Sequence, residues 1–358
     1  MAFGSKHLHS LIQAALDNNA SDIHIREDEA PCFRIVGEMV PIRTKVFTRE
    51  NMVDIIKLMT GADILVDDVN ELDGSYSAEN ICRIRYNVFK FQKKFGVICR
   101  LIRDKIPTIK ELKLPTILAD IALAERGLIL VTGATGSGKS TTLAAMINHI
   151  NNERNCHIIS IEDPVEYIHT QINSRISQRE VGIDTKNYNI ALRSALRQDP
   201  DVLLIGELRD LETISIALMA AETGHTVFAT VHTTDAMKTI GRLISMFPEE
   251  EQQEARNRLA DNLYSTISQR MLRSLDNKNV VALEIMITNP GVKDCISGKD
   301  DFGRLISIIK EGRGKSGNHS QSFDQHLMDL YKKKIISKDE ALNAATSQSD
   351  FILNLEIE

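Results

Sequence analysis

Two hydrophobic periods alternate along the chain, and the places where one gives way to the other divide it. Near the start, Leu8, Leu11, Ile12 and Ala15 share one helical face, and Asn18 and Asn19 can end that helix. Residues 21–26 (SDIHIR) then alternate as a strand does. A second strand candidate runs from Cys32 to Val36, closes at Gly37 and continues towards Val40. Met52, Ile55, Ile56 and Met59 form another helical stripe, and residues 81–89 and 96–102 alternate as two paired strands. The pattern predicts a small α+β domain over residues 1–104, its helices covering one face of an antiparallel sheet. Residues 104–115 set two prolines among lysines and read as a linker, placed at 105–116.

From Ile117 onward strand and helix patterns alternate, which predicts βαβ units and a parallel sheet over residues 117–290. The apolar run 127–132 is a buried strand, and the helix after it carries Leu143, Met146, Ile147 and Ile150 on one face. Residues 156–161, 201–207 and 227–232 are further strands, separated by helices at 189–198 and 214–221. Residues 252–273 read as one long helix, 280–287 as an edge strand, and 312–322, rich in Gly and Ser, as a mobile loop. Phe323, Leu327, Leu330 and Tyr331 mark a helix, and Ser337 to Glu340 is a capping box that opens the final one. Residues 291–358 are thus a C-terminal helical region, and no internal repeat is visible.

Composition changes this picture little. Apolar residues at 42% and charged residues at 26% are ordinary for a globular chain whose 358 residues suit two domains. A formal net charge of −6 argues against a protein that coats nucleic acid, and no nucleic-acid partner is expected. The apolar runs stay well under the ~18 residues of a membrane span, and residues 1–9 carry charge and histidine rather than an apolar signal core. The expectation is a cytosolic protein that meets a membrane only through partners. Five cysteines, never spaced C-x-x-C, predict reduced thiols and exclude a zinc ribbon.

The chemistry is concentrated at residues 133–140, Gly-Ala-Thr-Gly-Ser-Gly-Lys-Ser, which satisfy G-x-x-x-x-G-K-[ST]. A buried strand before and a helix after make this pattern a phosphate site, with the helix N-terminus facing the phosphates. Gly133, Thr135, Gly136, Ser137, Gly138 and Thr141 are therefore candidate nucleotide contacts. Lys139 would reach the β- and γ-phosphates, and the Ser140 hydroxyl would complete the shell of a Mg²⁺. The ligand predicted is ATP or another nucleoside triphosphate. The next three strands each end in a polar group, at Glu162-Asp163, Glu207 and His232. In open α/β sheets ligands bind at the carboxyl ends of strands, so all three can face the nucleotide. Glu207 ends its strand as a Walker B acid does and can bind Mg²⁺ through water or polarise the attacking water. Glu162 and Asp163 offer a second acidic pair, and which of Glu162 and Glu207 activates water stays open. His232 can hydrogen-bond a γ-phosphate, and His225 is a second histidine in reach of the argument. Arg83, Arg85, Arg100 and Arg103 lie on the paired strands of the first domain. They form a solvated face, or act as arginine fingers if that domain meets a neighbour's nucleotide.

Together these blocks resemble the PilT/PilU-type motor ATPases of type IV pili, part of a larger class of hexameric secretion ATPases. The resemblance rests on ASDIHI, GATGSGKSTTLAAM, ISIEDPVEYIH, QREVGIDT, LRQDPDVLLIGELRD and TGHTVFATVHTT, which run in family order over nearly the whole chain. It implies a PAS-like N-terminal domain, a RecA-like P-loop ATPase core and a homo-hexameric ring with nucleotide between subunits. It also implies roles. Lys139 and Ser140 bind phosphate and Mg²⁺, Glu162 and Glu207 serve hydrolysis, and His225 and His232 form a histidine box. Arg83, Arg85 and Arg100 match arginines that approach nucleotide across domains. The implied activity is ATP-driven pilus retraction at an inner-membrane platform protein, on the cytoplasmic face. The tail SFDQHLMDLYKKKIISKDEAL resembles the PilU-like branch, and Gly291 to Gly298 replaces the AIRNLIRE motif of PilT-like chains. Both features imply an accessory motor that works with a paralogous retraction ATPase. Two other readings stand beside this one: the ATPase of a related secretion or conjugation system, and a weakly hydrolysing nucleotide-binding regulator of a partner motor.

Overall fold

The computed structural model describes residues 3–35, 37–61, 66–78, 81–102, 106–313 and 317–357. Two compact units divide the chain, Met1–Lys105 and Ile106–Glu358. In the first, α1 (Ser5–Asp17) and α2 (Arg49–Thr60) lie on a six-stranded antiparallel sheet of order β3-β2-β1-β6-β5-β4. Its strands are β1 (Ala20–Arg26), β2 (Cys32–Ile35), β3 (Glu38–Pro41), β4 (Glu71–Ala78), β5 (Cys82–Phe91) and β6 (Lys94–Ile102). Leu8, Ile12 and Ala15 of α1 and Met52, Ile55, Ile56 and Met59 of α2 are buried against Ile23, Ile25, Ile84, Val88 and Val97. Period two decides the rest: along β5, Cys82, Ile84, Tyr86 and Val88 are buried, while Arg83 and Arg85 take the opposite face. The strand expected to run on from Cys32 towards Val40 is instead a hairpin, β2 paired with β3 and turned at Gly37. Val36 lies outside the described residues.

The second unit is built on a seven-stranded sheet of order β13-β12-β7-β11-β10-β8-β9. Its strands are β7 (Gly127–Gly133), β8 (His157–Glu162), β9 (Arg175–Glu180), β10 (Val202–Ile205), β11 (Thr226–Val231), β12 (Leu263–Arg273) and β13 (Asn279–Ile287). All neighbours are parallel except β13, which pairs antiparallel with β12 at the edge. The helices are α3 (Ile117–Ala122), α4 (Lys139–Glu153), α5 (Tyr188–Ala195), α6 (Leu211–Glu222), α7 (Ala236–Ser245) and α8 (Gln252–Asn262). They are followed by α9 (Pro290–Ser297), α10 (Leu305–Glu311), α11 (Phe323–Lys332), α12 (Lys338–Ala344) and α13 (Gln348–Ile357). Apolar residues fill both faces of the sheet: α5, α6, α7 and α8 cover one, and α3 and α4 the other. Helices on both faces are what a parallel sheet requires. The α/β class expected for this region is therefore the one observed.

Four expectations are corrected here. The long helix over 252–273 stops at Asn262, and β12 begins at Leu263. Leu259, Leu263, Ile267 and Met271 recur every fourth residue and imitate a helical stripe. The segment is extended because it fills the gap between β7 and β13, where the buried Ser265, Thr266, Ser268 and Gln269 lie. The linker at 105–116 is no tether from Ile106 onward: Ile109 and Leu114 are buried in the second unit's core. Ser337 caps α12 by accepting the Glu340 N–H at 3.1 Å, but α13 follows, and the Glu340 carboxylate turns instead to the Arg273 N–H at 2.7 Å. In the loop expected to be mobile, Ser320, Gln321 and Ser322 are buried, and Gln321 bridges to Ile285 of β13. Residues 314–316 lie outside the described residues.

Ile267 is fully buried in β12. Ile267→Ala should destabilise the second unit by about 2–5 kcal/mol, read as a lower urea midpoint. Ile172, 56% exposed, should tolerate alanine within about 0.5 kcal/mol.

Candidate active site

Every residue of β7 is buried, and β11 and β12 flank it in parallel, so the loop at its carboxyl end emerges from mid-sheet. Gly133, Gly136 and Gly138 have φ of +146°, +81° and +89°. At Gly133 a Cβ would stand 2.5 Å from Ser137 Oγ and 2.7 Å from the Gln269 carbonyl oxygen, so only glycine fits. Gly138 is the left-handed N-cap of α4, which starts at Lys139. The Lys139 side chain folds back, and its Nζ donates to the carbonyls of Gly133 at 2.9 Å and Ala134 at 3.0 Å. Loss of hydration draws its pKa below the usual lysine range, against the attraction of Glu207 and Glu166. Ser137 Oγ is buried with no partner in the structure. Thr135 and Gly136 are exposed, and Ser140 and Thr141 are half-buried.

Three further strand ends face the same edge. His232 follows β11, with Nδ1 3.5 Å from Lys139 Nζ and Nε2 3.3 Å from Glu207 Oε1. A ring carrying its hydrogen on Nε2 satisfies both contacts. Glu207 lies two residues past β10, and its Oε2 accepts from Arg209 Nε at 2.7 Å. The last residue of β8 is the half-buried Glu162, whose Oε1 accepts from Ser160 Oγ at 2.7 Å and Gln178 Nε2 at 3.4 Å. Burial pushes this carboxyl up to about 7, with Ser160 and Gln178 opposing and Glu166 adding. Asp163 is exposed beside it.

The sequence reading missed the groups that hold these side chains. Gln178 of β9 donates to the Tyr167 carbonyl at 2.8 Å and accepts the His169 N–H at 2.9 Å, which lays residues 165–170 over the end of β8. Tyr167 then reaches Thr141, hydroxyl to hydroxyl at 2.8 Å. Gln269 Nε2 donates to Thr142 Oγ1 at 2.9 Å, pinning the first turn of α4 to β12. Ser160 could have been found from period two, since it shares a face of β8 with Glu162. A cavity of about 430 Å³ opens beside Gly138 and Thr141, walled by Leu112, Leu114, Met271 and Val281.

His225 is not brought to this edge. It precedes β11 at the opposite end of the sheet, about 20 Å of strand from His232. There its Nδ1 lies 2.9 Å from the Ala220 carbonyl oxygen and 3.0 Å from Thr223 Oγ1. Its expected nucleotide contact within this chain is thereby withdrawn. Arg83, Arg85 and Arg100 belong to the first unit, on the sheet face that α1 and α2 leave uncovered. The register sets a row Arg34–Asp22–Arg100–Arg85–Ser75 across five strands. Arg100 pairs with Asp22 at 3.0 Å, and Arg83 donates to Ser75 Oγ at 2.9 Å. Arg103 lies outside the described residues.

Among the described residues, no three or more His, Cys, Asp or Glu side chains gather to hold a metal by themselves, and no helix is long and apolar enough to cross a membrane. The family description "Type II/IV secretion system protein" matches residues 2–305. The chain is 39% identical over 345 residues to the type IV pilus retraction ATPase PilT of Pseudomonas aeruginosa, covering 95% of this chain and 98% of that protein. It is 36% identical over 352 residues to the type IV pilus ATPase PilU of the same organism, covering 97% and 91%. A crystal structure of the pilus retraction motor PilT with bound ADP superposes with a TM-score of 0.88 at 36% identity, covering 96% of this chain and 98% of that one. The Legionella pneumophila ATPase DotB superposes with a TM-score of 0.79 at 25% identity, covering 100% and 97%.

Gly133→Ala should abolish binding of a fluorescent triphosphate analogue, because the added Cβ collides with Ser137 and with β12 backbone. Equilibrium titration of the purified variant checks this.

Proposed function

Because the chain belongs to the type II/IV secretion system protein family, we propose that it is a motor ATPase that couples ATP hydrolysis to type IV pilus retraction. The observation that carries the reading is the meeting of Lys139, at the start of α4, with the strand-end residues His232 and Glu207, His232 lying within 3.5 Å of both. Lys139 Nζ is otherwise held by its own loop's carbonyls, and the buried Ser137 hydroxyl beside it has no partner. Both are groups that a triphosphate satisfies.

In this reading the phosphates lie along residues 133–141. Lys139 exchanges its carbonyl partners for phosphate oxygens, and Ser137 gains an acceptor. The cavity beside Gly138, with apolar walls from Leu112, Leu114, Met271 and Val281 and polar groups such as Ser274 and Asn279, takes the base and ribose. Ser140 and, through water, Glu207 would hold Mg²⁺, which when bound offsets charge on the β- and γ-phosphates. Glu162, held by Ser160 at the carboxyl end of β8, is the group that takes the proton from the attacking water, since burial raises its carboxyl to about 7, close to where a general base works best. Asp163 adds a second carboxylate on the nucleotide side. Glu207 and His232 orient the γ-phosphate, and His232 reports its loss. Arg83, Arg85 and Arg100 of a neighbouring copy supply the remaining positive charge, in a homo-hexamer with nucleotide between subunits. The ring works on a platform protein at the cytoplasmic face of the inner membrane. The replaced motif at Gly291 to Gly298 favours an accessory role beside a paralogous ATPase.

Purified protein should hydrolyse ATP only with Mg²⁺, and Lys139→Ala or Glu207→Ala should each lower kcat at least ~100-fold. Undiminished turnover in both variants would sink the site assignment. Deletion in the native host should leave pili on the surface and impair twitching, and normal twitching would argue against the motor role. Turnover should also fall as pH is lowered through about 7, because protonating Glu162 removes the base. Ser160→Ala deletes a hydrogen bond that favours the ionised form, so it should move that acidic limb to higher pH.

A further inference from the structure

The connection from β11 to α7 carries His232, and most of its bonds are internal. Thr233 Oγ1 and Thr239 Oγ1 stand 2.6 Å apart, and Thr239 donates to the Asp235 carbonyl at 2.7 Å. The Asp235 carboxylate accepts the Lys238 N–H and the Thr234 hydroxyl, both at 2.8 Å. These bonds tie the connection to its own helix, so the two would travel as one body. A further bond reaches outside that body: the Ala236 N–H donates to Glu284 Oε1 at 2.9 Å. Glu284 stands in the middle of β13, opposite Ser268 of β12 and on the face that also carries Arg270. Arg270 attracts the Glu284 carboxylate and is itself held by the C-terminal helices. Its guanidinium lies 3.8 Å above the Phe323 ring and donates to the Ala344 carbonyl at 2.5 Å and to Thr346 Oγ1 at 3.4 Å. Asp324 closes this cluster by accepting the Thr346 N–H at 2.7 Å.

A carboxylate half-buried in mid-strand is costly unless fixed donors answer it. Here the donor is the backbone of the segment that delivers His232. Resting on the reading of His232 given above, we propose that Glu284 is a positioning residue for His232. Its carboxylate fixes the start of α7 against β13, and Arg270 makes that position depend on α11 and α12. The C-terminal helices thereby bias the phosphate-sensing histidine from the far flank of the sheet. The groups facing Glu284 are Asp235 and Ala236 N–H from α7, Arg270 from β12 and Asp324 from α11. Burial, helped by the two aspartates, pushes its carboxyl up to about 7, while the N–H and Arg270 favour the ionised form.

The test is steady-state ATP turnover by the full chain for Glu284→Ala, Glu284→Gln, His232→Ala and the Glu284→Ala/His232→Ala double variant. Glu284→Ala should lower kcat about tenfold while KM for ATP changes less than about twofold. Glu284→Gln keeps an acceptor for the Ala236 N–H and should recover most of that loss. In the His232→Ala background, Glu284→Ala should cost nothing more, because its effect passes through the histidine. Unchanged kcat in Glu284→Ala, or losses that multiply fully in the double variant, would overturn the proposal. Intact turnover in His232→Ala would instead overturn the site reading beneath it. If Glu284→Ala does not fold, Glu284→Asp, which keeps the charge but falls short of the Ala236 N–H, should show the same kcat loss and the same non-additivity with His232→Ala, and an unchanged kcat there would overturn the proposal.

Discussion

The parallel register of four neighbouring strands is the constraint on which this site depends. Ile161 of β8 lies beside Ile205 of β10, Ile205 beside Ala229 of β11, and Ala229 beside Leu130 of β7. From that row the chain needs one residue to reach Glu162, two to reach Glu207, and three to reach His232 or Gly133. Each strand is buried at almost every position and on both faces, so a slip by one residue would exchange the side chains of the two cores and leave voids and overlaps where they now fit. The chemistry is thus aligned by hydrophobic burial, and the polar groups contribute orientation afterwards.

Orientation here is a matter of exchangeable partners. Lys139 holds two carbonyls of its own loop, Glu207 holds Arg209 and His232, and His232 stands between Lys139 and Glu207. Each bond satisfies a group that would otherwise lose hydration without compensation. Each can also be given up to a phosphate oxygen or a bound water, because the His232 and Glu207 side chains stay partly open to solvent at this edge. The fixed supports lie one layer further out, where Ser160 holds Glu162 on its own strand, Gln178 holds the loop at Tyr167 and His169, Gln269 holds Thr142 of α4 and Glu284 holds Ala236 of α7. That layering keeps the site assembled while leaving its inner contacts free to change.

The strand ends were legible because 127–132, 156–161, 201–207 and 227–232 are apolar runs that stop at a polar residue, and burial enforces what such runs suggest. The phosphate loop was legible for a stricter reason: Gly133 tolerates no Cβ, so its spacing is written in the sequence. β12 was not legible, since its Leu, Ile and Met at every fourth position carry a helical period, and the competing buried Ser and Thr residues signal only that a neighbour exists. Gln178 was hidden because β9 shows weak alternation and its partners come from a loop. His225 and His232 stand in one block, seven residues apart, yet a strand separates two such residues to opposite edges where a helix would have stacked them. The proximity of titratable groups across β12 and β13, Arg270 and Glu284 among them, is a tertiary fact with no local signature.

Glu162 and Glu284 flank β7 on opposite sides, and burial raises both to about 7, but their surroundings differ in kind. Glu284 faces a guanidinium and a backbone N–H, so its charge has an internal answer. Glu162 is bonded by neutral donors, Ser160 and Gln178, and its charged neighbour Glu166 repels. Lys139 and Arg209, the cations bonded at this edge, are already committed to backbone carbonyls and to Glu207. Adding a triphosphate increases the negative charge further, so the ionised form of Glu162 becomes harder to reach unless cations arrive with it or after it. A divalent ion answers the phosphates. In the proposed hexamer, arginines such as Arg85 and Arg100 of a neighbouring copy would lower the cost of ionising Glu162. On the proposed reading, hydrolysis would thus be conditioned on assembly by electrostatics: burial raises the Glu162 carboxyl, and positive charge arriving with a neighbouring copy would lower it again.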